Sequence, residues 1–149
     1  TLMRSSAASD VYKRQYQYDE IRIGMEEQFR VKITEKMLDS FCIITGDKNP
    51  LHCDEEYAKA KGKKGRVSYG MLTASFLSTL AGMYLPGEKS LLQSVEVKFL
   101  KPVYIGDILK ISGIVVEKHD VFQRIEVKVT VTRNDGEKVL KGRMKVGIE

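Results

Sequence analysis

The sequence is poor in the residues from which a disulfide scaffold, a zinc site or a membrane span is built. It holds two cysteines, Cys42 and Cys53, and no CxxC pair. That count excludes a disulfide framework and fits a reducing cytoplasm, the compartment expected for this chain. Cys53 follows His52, one of only two histidines. Adjacent potential ligands lack the separated spacing of a zinc site, so no metal is expected. The longest apolar run, Met71 to Leu85, spans about fifteen residues and is broken by Thr73, Ser75, Ser78, Thr79 and Gly82. It is too short and too polar for a membrane span, which needs about 20 apolar residues. No internal repeat or low-complexity tract is present.

The positive charge excess is smaller than it first looks. The formal net charge is +5, yet residues 5 to 15, SSAASDVYKRQ, resemble a sequencing-library adapter read in frame. Residues 1 to 15 are therefore set aside as a non-native, disordered segment, with no signal peptide, and 16 to 149 are read as a single domain. Without Arg4, Lys13, Arg14 and Asp10 the balance falls from 25 basic and 20 acidic residues to 22 and 19, a net of +3. Such a mild excess, with no recognisable motif, gives no argument for nucleic acid. With 149 residues, 42% hydrophobic and 30% charged, the chain has the make-up of one soluble globular domain with a proper core.

The pattern along the chain gives an α+β domain. Ile21, Ile23, Phe29, Val31 and Ile33 alternate with polar residues around Gly24, the mark of a strand interrupted by a turn. Thr34 then serves as N-cap and Gly46 as C-cap for a helix on which Met37, Leu38, Phe41 and Ile44 recur at helical spacing. In DEEYAKAKGKKGR, acids at the head and bases at the tail suit a short helix from about Asp54 to Lys61, closed by Gly62. The stretch from Gly70 to Leu85 is apolar nearly all round and so is expected to be enclosed. After it come strands: SVEVKFLKPV, with Val95, Val97 and Phe99 on one face, then DILKISGIVVE, QRIEVKVTVTR and EKVLKGRMKVGI, the last two joined by the hairpin signal Asn134-Asp135-Gly136. His119 falls between strands as a surface loop residue. A curled antiparallel sheet wrapping one buried helix is the expected architecture.

Two constellations carry chemistry. The first is GDKNPLH, Gly46 to His52, directly after a helix. Gly46, Asp47 and Asn49-Pro50 are all turn formers, and a C-cap running into an Asx turn accounts for them. It does not account for His52, five residues after Asp47. A carboxylate and an imidazole delivered by one rigid turn can hold a single water, one as base and the other as proton donor. The second is Ser68-Tyr69-Gly70-Met71, where a glycine opens the enclosed helix. Free N–H groups at that positive helix end suit a carbonyl oxygen that becomes negative. A glycine there also simply lets the helix approach another backbone closely.

Taken together, GDKNPLHCDEEYAKA, YGMLTASFLS and VKFLKPVYIGD resemble the MaoC-like (R)-specific enoyl-CoA hydratase and dehydratase family of hotdog-fold proteins, from about Tyr18 to the C-terminus. The composite Gly-Asp-x-Asn-Pro-x-His motif is the specific part. Phe99, Pro102, Val103, Gly106 and Asp107 support the hotdog fold more generally. The resemblance implies that Asp47 and His52 are the catalytic pair and that Asn49 orients them. It implies that the Gly70 N–H faces the thioester oxygen and that Ser78 stands near the site. Many members carry histidine where this chain has Tyr69, a departure that bears on specificity.

The implied reaction is reversible addition of water to a trans-2-enoyl thioester, giving an (R)-3-hydroxyacyl thioester, with no cofactor. Ser68, Lys63 and Arg66 join Ser78 as candidate substrate-binding residues. Lys61, Lys63, Lys64 and Arg66 crowd the connection before Gly70 and either meet the phosphates of coenzyme A or form a solvated cluster. Phe76, Leu80, Met83 and Tyr84 are at core spacing, and in a hotdog some also line an acyl pocket. The implied partners are an acyl-CoA or acyl-carrier-protein thioester and a second copy of the chain in a homodimer or larger homo-oligomer, with neither nucleic acid nor membrane. A hotdog thioesterase and a non-catalytic acyl-thioester binding subunit are the competing readings.

Overall fold

A computed structural model describes residues 15–149. Of the adapter-like stretch, residues 1–14 and the disorder expected of them lie outside the described residues. Alternating apolar and polar side chains build a five-stranded antiparallel sheet: β1 (Glu26–Lys32), β2 (Ser90–Phe99), β3 (Ile108–His119), β4 (Arg124–Arg133) and β5 (Lys138–Ile148). The strand order is β1-β3-β4-β5-β2. On the inner face β3 presents Leu109, Ile111 and Val115, β4 presents Ile125, Val127, Val129 and Val131, and β5 adds Leu140, Met144 and Val146, all buried. Four helices precede β2: α1 (Glu35–Thr45), α2 (Pro50–Cys53), α3 (Glu55–Ala60) and α4 (Gly70–Met83). Buried Leu77, Leu80 and Ala81 seat α4 in the sheet. Each large side chain buried this way contributes about 1.5–3 kcal/mol. The sheet wraps α4, which is the α+β hotdog architecture.

The helix signals are local and hold. The Thr34 hydroxyl accepts the Met37 N–H at 3.2 Å, and Gly46 ends α1 in the left-handed region at φ 73°. Asp54 caps α3 by accepting the Tyr57 N–H at 3.0 Å. Asn134-Asp135-Gly136 turns β4 into β5, with Gly136 at φ 86°.

Other expectations are corrected by tertiary geometry. The first strand is shorter than the alternation implies, because a turn closes at Arg22–Met25, with Gly24 at φ 95°. Ile21 and Ile33 are buried from outside the strand, whereas Ile23 is 65% exposed. His119 is the last residue of β3 rather than part of a loop. The long helix is enclosed on one side only: Met71, Ser75 and Ser78 are exposed. The apolar face of β2 is half open, with Val95 at 41% and Phe99 at 52% exposure, because this strand is at the sheet's edge. No helix of the described residues is long and apolar enough to cross a membrane.

Candidate active site

A relay of short hydrogen bonds shapes the segment after α1. The Thr45 hydroxyl donates to the Phe41 carbonyl at 2.8 Å and accepts the Asp47 N–H at 3.2 Å. Asp47 Oδ1 accepts the Asn49 N–H at 3.1 Å, and Asn49 Oδ1 accepts the Leu51 N–H at 3.0 Å. The last bond caps α2, a helix absent from the sequence expectation, with Pro50 in its first turn. The turn formers therefore do two jobs: Gly46 ends α1 with its N–H on the Cys42 carbonyl, and the Asx bonds that follow start α2. Their product is a rigid mount for His52.

His52 Nδ1 lies 2.7 Å from the Val67 carbonyl oxygen. A carbonyl only accepts, so Nδ1 carries the proton and Nε2 of the neutral ring is the basic nitrogen. The ring stacks on Tyr69 at a centroid distance of 4.2 Å. The buried Tyr69 hydroxyl donates to the Asp47 carbonyl at 2.6 Å, so one side chain supports both members of the expected pair. Burial, followed by bonding to Cys53 and Cys42, pushes its pKa well up, so the phenol keeps its proton.

Arg66 braces the mount from behind. Its Nε donates to the His52 carbonyl at 2.7 Å, and its two terminal nitrogens reach Asp39 at 2.8 Å and Glu35 at 3.4 Å. Burial works to lower the Arg66 pKa, but the bond to Asp39 and the charges of Asp39, Cys53 and Glu35 outweigh it and raise the pKa. The guanidinium, a candidate either for the coenzyme A phosphates or for a solvated cluster, is committed to tying α1 to α2.

A cavity of about 330 Å³ adjoins this mount. Val67, Phe99, Leu100 and Val103 contribute apolar wall, while His52, Ser68, Gly70 and Thr73 contribute polar groups. At the start of α4, intrahelical bonding begins with the N–H groups of Leu72 and Thr73, both directed at the Tyr69 carbonyl. The N–H of Gly70 is thus one of the helix's orphan donors, at the end where the macrodipole is positive. A Cβ at Gly70 would lie 3.0 Å from the Phe99 ring, so glycine is what lets that ring close over the helix end.

The cavity brings together His52, Gly70 and Ser68 from the sequence expectation. Asp47 and Asn49 stand in the exposed loop beside it, outside the cavity wall, and the Asp47 carboxylate holds the Asn49 N–H. Lys63 is exposed on the connection between α3 and α4. Ser78 is exposed on α4 outside the cavity wall, eight residues and so about 12 Å beyond Gly70. Thr73 was not foreseen. It stands one turn after Gly70 on the same helix face, a spacing readable in the sequence, but only the folded chain shows that its buried hydroxyl, like that of Ser68, has no hydrogen-bond partner among the described residues.

The MaoC-like domain family model matches residues 20–136. The chain belongs to the MaoC-like dehydratase family. This MaoC-like chain is 30% identical to the 3-hydroxybutyryl-CoA dehydratase of Methylorubrum extorquens, over 88% of its own length and 83% of the relative's. It is 33% identical to the (R)-specific enoyl-CoA hydratase of Rhodospirillum rubrum, over 68% and 73% of the two chains. The unliganded R-hydratase of Pseudomonas aeruginosa superposes with a TM-score of 0.84 at 30% identity, covering 88% of this chain and 84% of that one. The matched range, residues 20–136, takes in both the Gly46–His52 turn and the start of α4 at Gly70.

Proposed function

We propose that this chain is an (R)-specific enoyl-CoA hydratase and 3-hydroxyacyl-CoA dehydratase, adding water reversibly to a trans-2-enoyl-CoA. One observation carries the reading: His52, its Nδ1 held by Val67 and its Nε2 left basic, lines the same cavity as the open N-terminus of α4. The named activities of the 30–33% identical relatives support it.

In this reading Asp47 and His52 hold one water, Asn49 fixes the Asp47 loop, and His52 Nε2 removes a proton as the water oxygen bonds to C3. The pair of electrons displaced from the double bond places negative charge on the thioester oxygen, where the Gly70 N–H and the helix end stabilise it. The proton returns to C2, completing addition of one water. No cofactor enters this balance. Ser68 contacts substrate within the cavity, and Lys63 with Lys61 and Lys64 meets the coenzyme phosphates. A second copy of the chain completes the site along the free edge of β2, and the protein works in the cytoplasm.

Loss of the positioned acid or base is expected to slow hydration by about 10² to 10⁴. His52→Ala and Asp47→Asn should each keep a native circular dichroism spectrum while hydrating crotonyl-CoA at that reduced rate. Near-normal hydration by either variant, an (S)-configured product, or release of free coenzyme A in place of hydration would overturn the proposal.

A further inference from the structure

The chain's two cysteines meet across the loop that carries Asp47, Asn49 and His52. Cys42 is on the last full turn of α1, Cys53 ends α2, and their sulfurs are 4.0 Å apart. Cys53 is exposed and Cys42 half-buried, and both are free thiols. Cys53 Sγ also lies 3.5 Å from the Tyr69 hydroxyl and 4.0 Å from the Asp47 carbonyl. Arg66, which holds the carbonyl of His52, is among the groups whose charge interacts with Cys53. An exposed cysteine with a second, half-buried thiol 4.0 Å from its sulfur is the arrangement of an attacking thiol and a resolving thiol.

We propose that Cys42 and Cys53 form an oxidation site, taking a small-molecule disulfide as co-reactant and closing reversibly to an internal disulfide. The Cys53 thiolate attacks one sulfur of the reagent, forming a mixed disulfide and releasing one thiolate. The Cys42 thiolate then attacks Cys53 Sγ, forming the internal bond and releasing the second thiolate. The protein loses two protons and two electrons, and the reagent's disulfide is reduced to two thiols. A disulfide bond is about 2.05 Å long, so the two sulfurs, 4.0 Å apart, must close together, and any movement of Cys53 Sγ toward α1 draws it from Tyr69.

His52 is the next residue and its ring rests on Tyr69, so the oxidised form holds the imidazole away from its reducing-state position. The effect on rate rests on the hydratase reading, whereas formation of the bond does not. A displacement of the order of 1 Å commonly costs 10²-fold in rate; partial displacement here is expected to cost roughly tenfold.

The test is to incubate the full chain with oxidised glutathione, then measure intact mass, titratable thiols and crotonyl-CoA hydration before and after dithiothreitol. The expected result is loss of both thiols, a mass lower by two hydrogens with no glutathione retained, and a hydration rate reduced roughly tenfold that dithiothreitol restores. Cys42→Ser should instead retain one glutathione on Cys53. Persistence of two thiols, or of a glutathione adduct on the unaltered chain, would overturn the site. An unchanged rate in the fully oxidised protein would overturn its control of the loop. If the reduced protein hydrates nothing, the hydratase reading fails, and the mass measurement still decides the disulfide.

Discussion

Thr73 has a buried hydroxyl with no partner among the described residues, in a residue that is 2% exposed and lines the cavity. Leaving such a group unbonded costs about 1–3 kcal/mol. Valine keeps the shape and removes the cost, so Thr73→Val should unfold at a higher urea concentration with an unchanged dependence on urea. A lower midpoint would mean that the hydroxyl has a stabilising bond in the folded chain. His52 shows the opposite economy: each ring nitrogen has a defined state, because the Val67 carbonyl fixes the proton on Nδ1. Tyr69 works through its ring and its hydroxyl, stacking on His52 while bonding the Asp47 backbone. A histidine at that position is too short to do both in the same way.

At the scale of elements, the site depends on how closely α4 approaches the sheet and on how α2 is braced. Gly113 in β3 lies under α4; a Cβ there would fall 2.7 Å from Leu80 Cδ2 and 2.9 Å from Val127 Cγ1. Both neighbours are fully buried and packed in the core. Gly113→Ala should therefore destabilise the fold by about 1–3 kcal/mol through overpacking, measured as a fall in the urea midpoint. No loss of stability would show that the helix can lift from the sheet without cost. α2 is one turn long and has no core of its own. Its position comes from the Asn49 cap, the Val67 N–H bonded to the Leu51 carbonyl at 3.1 Å, and the Arg66 bond to His52.

For the whole molecule, the consequential feature is an unfinished edge. β2 pairs with β5 on one side and ends the sheet on the other. Along it Leu91, Leu92, Val95 and Phe99 are exposed hydrophobics. An open, apolar edge strand is a template for another strand, and an isologous pairing of two copies closes it. Phe99, which covers Gly70, lies at the end of the same strand, so the edge and the cavity are joined. The chain should sediment as a dimer at micromolar concentration, and Val95→Lys should shift it toward monomer. A monomer in the unaltered chain would leave the edge to another occupant.

The segment from Thr34 to His52 was largely legible in the sequence, because caps and Asx turns are made by residues two to four positions apart. The caps at Thr34 and Gly46, the Asn134-Asp135-Gly136 hairpin and the apolar α4 follow from such local chemistry, as does the alternation that gives β3, β4 and β5 their inner face. What the sequence could not display were contacts between distant residues: the Val67 carbonyl fixing His52 across 15 positions, or Arg66 turning from a phosphate candidate into a brace by meeting Asp39 across 27. Phe99 closing over Gly70, the meeting of Cys42 with Cys53, and the open face of β2 also appear only when the sheet curls around α4. Local geometry is set by the chain's own covalent neighbours, whereas the proton on His52 and the walls of the cavity depend on which distant groups burial forces together.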